Sequence, residues 1–587
     1  MKKTLVTAVM AFAGVAAMSG EELFVKELVF PAGADSVAKI EMASRLVPSP
    51  MQKAWQEREL TAFLHFGMNT FTDREWGDGK ESPYMFTPDS LDTDQWVRTL
   101  RDAGFGMVIL TAKHHDGFCL WPTKTTLHSV ASSPWRQGKG DVMADLRRSC
   151  DKYGMKLGVY LSPWDRNAEC YGDSPRYNDM FVAQLTELLT DYGKIDEVWF
   201  DGACGEGPNG KKQEYDWLRF RETMRRLQPE AVLAITGDDV RWVGNEGGRG
   251  RETEWSVTPL VPSIYEWSDS VNSALGIDAM TKELGSRELV AKADRLYWWP
   301  SEVDVSIRPG WFFHENEKPH SPERMARIYL ESVGRNSVLL LNIPPDRRGL
   351  IADSDVNALM QLRKWIDSNF TDNLISTPSK GFNAAVLAEP VDSGQRVEAF
   401  EISVLNNGVW RPVASGTTIG RKRILMFDPV KADSVRLDIL SSRGTPNARI
   451  TGIYNVVLPD DNAGLKAAYP ALDSATYAVK TTSGTHPAFF VDMKRPVTLA
   501  GFVYAPAQDE RAARMFRYSV KASDNGIDWR DVPANGEFGN IKANPIPQQV
   551  LFGAQVEARY LLISGLETTG GEAAPRESEI SLLTYPE

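Results

Sequence analysis

Cysteine is scarce in this chain. Of 587 residues four are cysteine, Cys119, Cys150, Cys170 and Cys204, all in the first half and none in a Cys-x-x-Cys pair. No zinc-binding pattern can be built from them. Histidine is also sparse, with seven in all. The one adjacent pair, His114-His115, should point its rings to opposite faces of a strand, which makes a poor start for a chelating site. No metal centre is expected. Positive charge is in deficit, with a formal net charge of −12, which argues against nucleic acid as the main partner. There is no nucleotide-binding loop and no low-complexity tract. Long apolar runs are confined to the start. Met1-Lys2-Lys3 and the apolar run 4–18 predict a secretory signal over residues 1–20, too short for a confident membrane span. No cysteine follows it to accept a lipid. The expectation is an exported protein, periplasmic or extracellular, with no stable membrane insertion.

What is present is an ordinary globular composition, 42% apolar and 25% charged, with 17 tryptophans. Aromatic rings stack on the C–H faces of sugars, so the tryptophan count is suggestive. After a lead-in over 21–50 ending in Pro-Ser-Pro, strand and helix patterns alternate. Strands are predicted at 60–67, 107–115, 156–163, 198–201, 231–236, 296–305 and 337–343. Helices are predicted at 92–103, 141–153, 176–192, 214–227, 322–334 and 353–369. Repeated strand-then-helix units imply a parallel sheet. The length fits an α/β fold, a (β/α)₈ TIM-like barrel over residues 21–370. Beyond residue 371 helical periodicity stops and short β runs follow, separated by turns such as Asn406-Asn407-Gly408 and Asp524-Asn525-Gly526. They predict β-sandwiches over 371–460 and 461–587.

The organising stretch is Glu197-Val198-Trp199-Phe200-Asp201-Gly202, a short buried strand ending on a carboxylate. In a barrel, strand ends converge on one face. His65, the loop residues Glu75 and Trp76, His114, His115, Tyr160, Trp199 and Asp201 would then share one pocket with the segment Arg241-Trp242-Val243-Gly244-Asn245-Glu246. Hydrogen-bonding groups among aromatic platforms fit a sugar. Glycoside hydrolysis needs one ionised and one protonated carboxyl group. Asp201, fixed on a strand end, suits the nucleophile; a helix N-cap is the competing role. Glu246, in a Gly-rich loop beside Trp242, suits the acid, with Glu252 and Glu254 as rivals.

The blocks HFGMNTF, EWGDG, KHHDGFCLW, GVYLSPWDR, VWFDGA and RWVGNEGG…ETEW, spread over about 60–370, resemble glycoside hydrolase family 29, the retaining α-L-fucosidases. The resemblance implies Asp201 as nucleophile and, through a subfamily B-like GNE block, Glu246 as acid/base. It also implies fucose-binding roles for His65, Glu75, His114, His115, Tyr160, Trp199 and Arg241, with Trp76 and Trp311 as further walls. Action on α-1,3- and α-1,4-linked fucose of Lewis-type oligosaccharides is implied, with no cofactor required for catalysis. The alternatives are a broad α-L-fucosidase, a related glycosidase such as an α-galactosidase, or a dead barrel that only binds carbohydrate.

The C-terminal pieces Thr485-His486-Pro487, Phe489-Phe490-Val491-Asp492, Gly501-Phe502-Val503-Tyr504 and Asp524-Asn525-Gly526-Ile527-Asp528-Trp529 resemble family 32 carbohydrate-binding modules, which have a discoidin-like sandwich. Gln508 stands where such modules have an arginine. A packing role against the barrel is the favoured expectation over sugar binding. Such modules can hold a structural calcium.

Overall fold

The computed structural model describes residues 23–460, 469–482, 487–509, 512–570 and 578–585. The expected signal segment 1–20 and the pair Thr485-His486 lie outside the described residues. Eight parallel strands form one sheet. In chain order they are β1 Leu60–Leu64, β2 Met107–Lys113, β3 Lys156–Leu161, β4 Glu197–Phe200, β5 Val232–Ile235, β6 Arg241–Trp242, β7 Ser301–Ser306 and β8 Val338–Asn342. Their spatial order is β5-β4-β3-β2-β1-β8-β7-β6. That is a nearly closed barrel, as the alternation of patterns implies.

The register fixes what points inward. Phe63, Ile109, Gly158, Glu197 and Val232 lie side by side across five strands. Side chains alternate faces with a period of two. Phe63, Met107, Ile109, Tyr160, Trp199, Val232 and Leu340 therefore pack together inside the barrel. Their neighbours Ala62, Leu64, Val108, Leu110 and Val159 pack outward against the helices. The same period carries Asp201, two residues beyond Trp199, to the inner side at the barrel mouth.

The helices obey local rules. α1 (Thr93–Asp102) begins at Asp92, whose side chain accepts from the Gln95 amide, and buries Trp96, Val97 and Leu100. α2 (Val142–Tyr153) is capped by Asp141 and ends at Gly154 in the left-handed region. α3 (Ser174–Asp191) and α4 (Trp217–Leu227) follow, the latter stopping two residues before Pro229. α5 (Pro322–Ser332) starts with proline after a Ser321 cap, and α6 (Asp353–Phe370) closes the barrel.

Two expectations are corrected. The single strand expected at 296–305 is two. Arg295–Trp298 pairs antiparallel with Val257–Thr258 and with Glu27–Val29 of the lead-in, and β7 starts only after Trp299-Pro300. Proline cannot donate to a ladder, and the chain changes sheets there. The segment around Arg241, read as loop, supplies barrel strand β6 directly after β5, with no helix between.

Two further β regions follow. Two three-stranded sheets enclose Phe382, Leu387, Phe400, Ile402 and Ile453. The last region is a six-stranded antiparallel sheet. It includes β9 Met515–Ser523, β10 Arg530–Glu537 and β11 Gln548–Thr568. Tyr504, Tyr518, Phe538 and Leu561 lie in its core.

Gly158 makes the inner layer possible. A Cβ there would lie 2.7 Å from Ile109 Cγ1 and 3.2 Å from the Glu197 carbonyl. Gly158→Ala is expected to destabilise the barrel by about 1–3 kcal/mol through overpacking. A lower urea midpoint of the barrel's unfolding transition measures it, and an unchanged midpoint would show that the layer has slack.

Candidate active site

A cavity of about 910 Å³ opens at the barrel mouth. Asp201 stands in its wall with 27% of its side chain exposed. Oδ2 accepts from the Tyr160 hydroxyl at 3.0 Å, and Oδ1 from the Ala203 amide at 2.7 Å. The Ala203 bond is a local turn, not a helix cap, because the next helix begins at Trp217. His115 Nε2 lies 3.9 Å from Oδ2. With donors on both oxygens the carboxylate has one direction.

Two buried histidines present acceptors. The Ser162 hydroxyl donates to the Trp164 carbonyl, so it must accept from His115 Nδ1 at 2.7 Å. Burial holds the His115 pKa down to about 4, so its Nε2 is a bare lone pair. Asn342 donates its amide to the Trp311 carbonyl and to Ser306, which turns its oxygen to His65 Nδ1 at 2.9 Å. His65 is likewise held near 4 by burial. Neutral imidazoles with free Nε2 atoms accept hydroxyl protons. His114 also lines the cavity, with its ring stacked against Tyr160 at 5.8 Å. Here the opposite-face expectation fails. β2 ends at Lys113, so His114 and His115 lie beyond the pleat and both turn into the cavity, 4.1 Å apart.

Glu246 also lines the cavity. Burial, with the charges of Asp201 and Glu75 adding to it, lifts its pKa to about 7. The indole touching it is that of Trp311, whose Nε1 donates to Oε2 at 3.2 Å. Trp242, the expected neighbour, donates to Asp304 instead. Glu75 organises the loop bearing Trp311. Its two oxygens accept from the Trp311 and Phe312 amides at 2.9 and 3.1 Å and meet His314 Nε2 at 2.8 Å. Burial works against charge on His314 but is outweighed by Asp73, Glu317 and Glu75, which raise it well above the usual histidine range. Trp199 and Trp76 complete the lining, Trp76 half exposed at the rim.

In sequence, the Alpha-L-fucosidase family profile matches residues 33–370. The chain belongs to the alpha-L-fucosidase family. It is thus a glycoside hydrolase. An F5/8 type C domain profile, the discoidin-like type, matches residues 460–579. Alpha-L-fucosidase 1 of Arabidopsis thaliana is 39% identical over 458 residues, covering 70% of this chain and 87% of that protein. A crystal structure from Bacteroides ovatus ATCC 8483, provisionally assigned as an alpha-L-fucosidase, is 50% identical with a TM-score of 0.74. It covers 96% of this chain and all (100%) of that one. A Ruminococcus gnavus GH29 fucosidase in complex with fucose is 27% identical with a TM-score of 0.62, covering 71% of this chain and 95% of its own.

In this fucosidase-family fold one expected fucose ligand is elsewhere. Arg241 is fully buried and does not line the cavity. It is bonded to Glu254 and to the Trp299 carbonyl. The reason is the two-residue period of β6, because its neighbour Trp242 reaches the cavity residue Asp304 and so Arg241 faces away. The rival acids are spent on ion pairs, Glu254 with Arg241 and Arg251, Glu252 with Arg335 and Arg423. Arg166, in the loop after β3, lines the cavity, and so do Phe63 and Asp304, which were missed. Alternation in Glu302-Val303-Asp304-Val305 could have revealed Asp304. Burial, then the Glu246 charge, raises the Asp304 pKa well above the usual range. Among the described residues no cluster of three or more His, Cys, Asp or Glu could hold a metal.

Glu254→Ala should strand the buried Arg241 charge and cost about 3–5 kcal/mol, read as a fall in melting temperature. An unchanged melting temperature would mean that the pair is solvated.

Proposed function

We propose that this protein is a retaining α-L-fucosidase that removes terminal α-1,3- and α-1,4-linked L-fucose from Lewis-type oligosaccharides. The observation that carries the reading is the placement of two carboxyl groups in unlike surroundings of one cavity. Asp201 is oriented by hydrogen-bond donors, whereas Glu246 is desolvated and lifted to about 7. A glycosidase needs that division of roles.

In the first step an Asp201 oxygen bonds to fucose C1 while the glycosidic C–O bond breaks. Glu246 gives its proton to the departing oxygen. In the second, Glu246 takes a proton from water, the water oxygen bonds to C1 from the vacated side, and the bond to Asp201 breaks. Two inversions return the original configuration. His65 and His115 accept sugar hydroxyls through Nε2. Phe63, packed among His65, Tyr160, Trp199 and Trp311 with ring centroids 4.6–6.4 Å away, supplies apolar surface for a deoxy sugar's methyl group. That supports fucose over galactose, whose hydroxyl there would lose its partner. The presence of both carboxyl groups supports an enzyme over a dead barrel. The basic start and apolar run of the chain support export.

Asp201→Ala should abolish turnover while leaving the fold, and a fluoro-fucosyl fluoride should label Asp201 in the parent; label elsewhere would end the assignment. Since Glu246 acts protonated, kcat/KM should fall as pH rises through about 7, and Glu246→Gln should lose about 10²–10⁴-fold on an oligosaccharide. Release from a Lewis-type trisaccharide with little from an aryl fucoside tests the linkage, and equal release from both would remove it.

A further inference from the structure

The cavity is not made by the barrel alone. One side is lined by residues of the C-terminal sheet, among them Arg517, Glu537, Asn540, Lys542, Glu567 and Thr569. All come from one end of that sheet. Arg517 near the start of β9 pairs with Glu537 at the end of β10, and Met515 with Thr568 at the end of β11. The loop 538–547 between β10 and β11 sits hard on the barrel loop that carries Trp311. A Cβ on Gly539 would lie 2.6 Å from Gly310 Cα and 2.6 Å from Glu317 Oε1, so only glycine permits this seam. The next residue, Asn540, has φ +49° and lines the same cavity as Glu246. Beside it Arg517 is clamped, donating to Glu537 Oε1 at 2.7 Å and to Glu567 Oε1 at 2.8 Å.

We propose that the C-terminal sheet forms the leaving-group side of the active site, with Asn540 as a positioning residue for Glu246 and the Arg517-Glu537-Glu567 cluster binding the saccharide that is released. This rests on Glu246 being the acid/base. The chemistry fits. A departing sugar offers hydroxyls as donors and acceptors, and a guanidinium between two carboxylates, with remaining N–H and oxygen valences, answers both. A carboxyl group that must meet one glycosidic oxygen needs its rotamer fixed. Trp311 holds it from the barrel, and Asn540 stands on the sheet side of the same cavity. The charged and titratable groups facing Glu246 are Asp201 just after β4, Glu75 of the loop after β1 and Asp304 of β7. The Asn540 amide is a neutral donor among them and favours the ionised form that follows proton transfer.

The test uses the full-length protein. Asn540→Gly removes the amide without penalty at positive φ, and Asn540→Asp keeps the shape but adds a carboxylate. Each is assayed on a fucosyl oligosaccharide that the parent hydrolyses and on a nitrophenyl fucoside, whose leaving group needs no proton. Asn540→Gly is expected to lose about tenfold or more in kcat on the oligosaccharide and less than about threefold on the aryl fucoside. The alkaline limb of kcat/KM should move up, and further for Asn540→Asp. Arg517→Ala should raise KM for the oligosaccharide more than for the aryl fucoside. Ile527→Asp, in the exposed turn at the other end of the sheet, should match the parent. Equal losses on both substrates, or an unmoved limb in both Asn540 variants, would overturn the proposal. Turnover surviving in Asp201→Ala would instead remove the underlying reading of the site.

Discussion

A carboxyl group stays protonated near neutral pH only where burial is not answered by a cation. Glu246 is lifted to about 7 by burial, with Asp201 and Glu75 adding to it, and several arginines around its loop are held by other acids. Arg241 and Arg251 are held by Glu254, and Arg335 and Arg423 by Glu252. Near Glu246 stand the Trp311 indole, the Asn540 amide and the carboxyl groups of Asp201 and Glu75. The two acids that rivalled Glu246 in the sequence thus have a role. They hold four arginines in ion pairs.

The same carboxyl group ties distant parts of the chain together. Glu75 fixes the backbone of Trp311, Trp311 donates to Glu246, and the Gly539 seam brings Asn540 to the same place. The barrel floor is set separately. The period of two in β4 stacks Glu197, Trp199 and Asp201 on one inner line. There Trp199 donates to Glu302, and Trp55 donates to Glu197. Burial raises Glu197 to about 7 against its hydrogen bonds to Glu302 and Trp55, and burial together with Glu197 raises Glu302 well above the usual range. They sit beneath the cavity, and neither of them lines it.

The barrel was legible because its signals are local. Apolar runs of four to seven residues, Asp and Ser caps, and prolines that end helices are each written within a few neighbours. Asp201 stood out because a strand pattern ends on it. The mistakes share one origin. His114 and His115 were assigned to a strand that stops at Lys113, and 296–305 was read through a proline into one strand. Arg241 is given to the pocket by strand-end convergence and by the family resemblance, and β6, two residues long, leaves no periodic trace that would turn it away.

By itself, then, the sequence determined the alternating architecture, the family, and which strand ends gather polar and aromatic residues, since these depend on spacing along the chain. Only the tertiary structure decided which carboxyl group is desolvated, which arginine is consumed in an ion pair, and that the C-terminal sheet walls the cavity. Those are matters of burial and of charge neighbours. Glu246 takes its neighbours from Asp201, Trp311 and Asn540, residues with no periodic relation to one another, and the fold alone brings them within reach of one side chain.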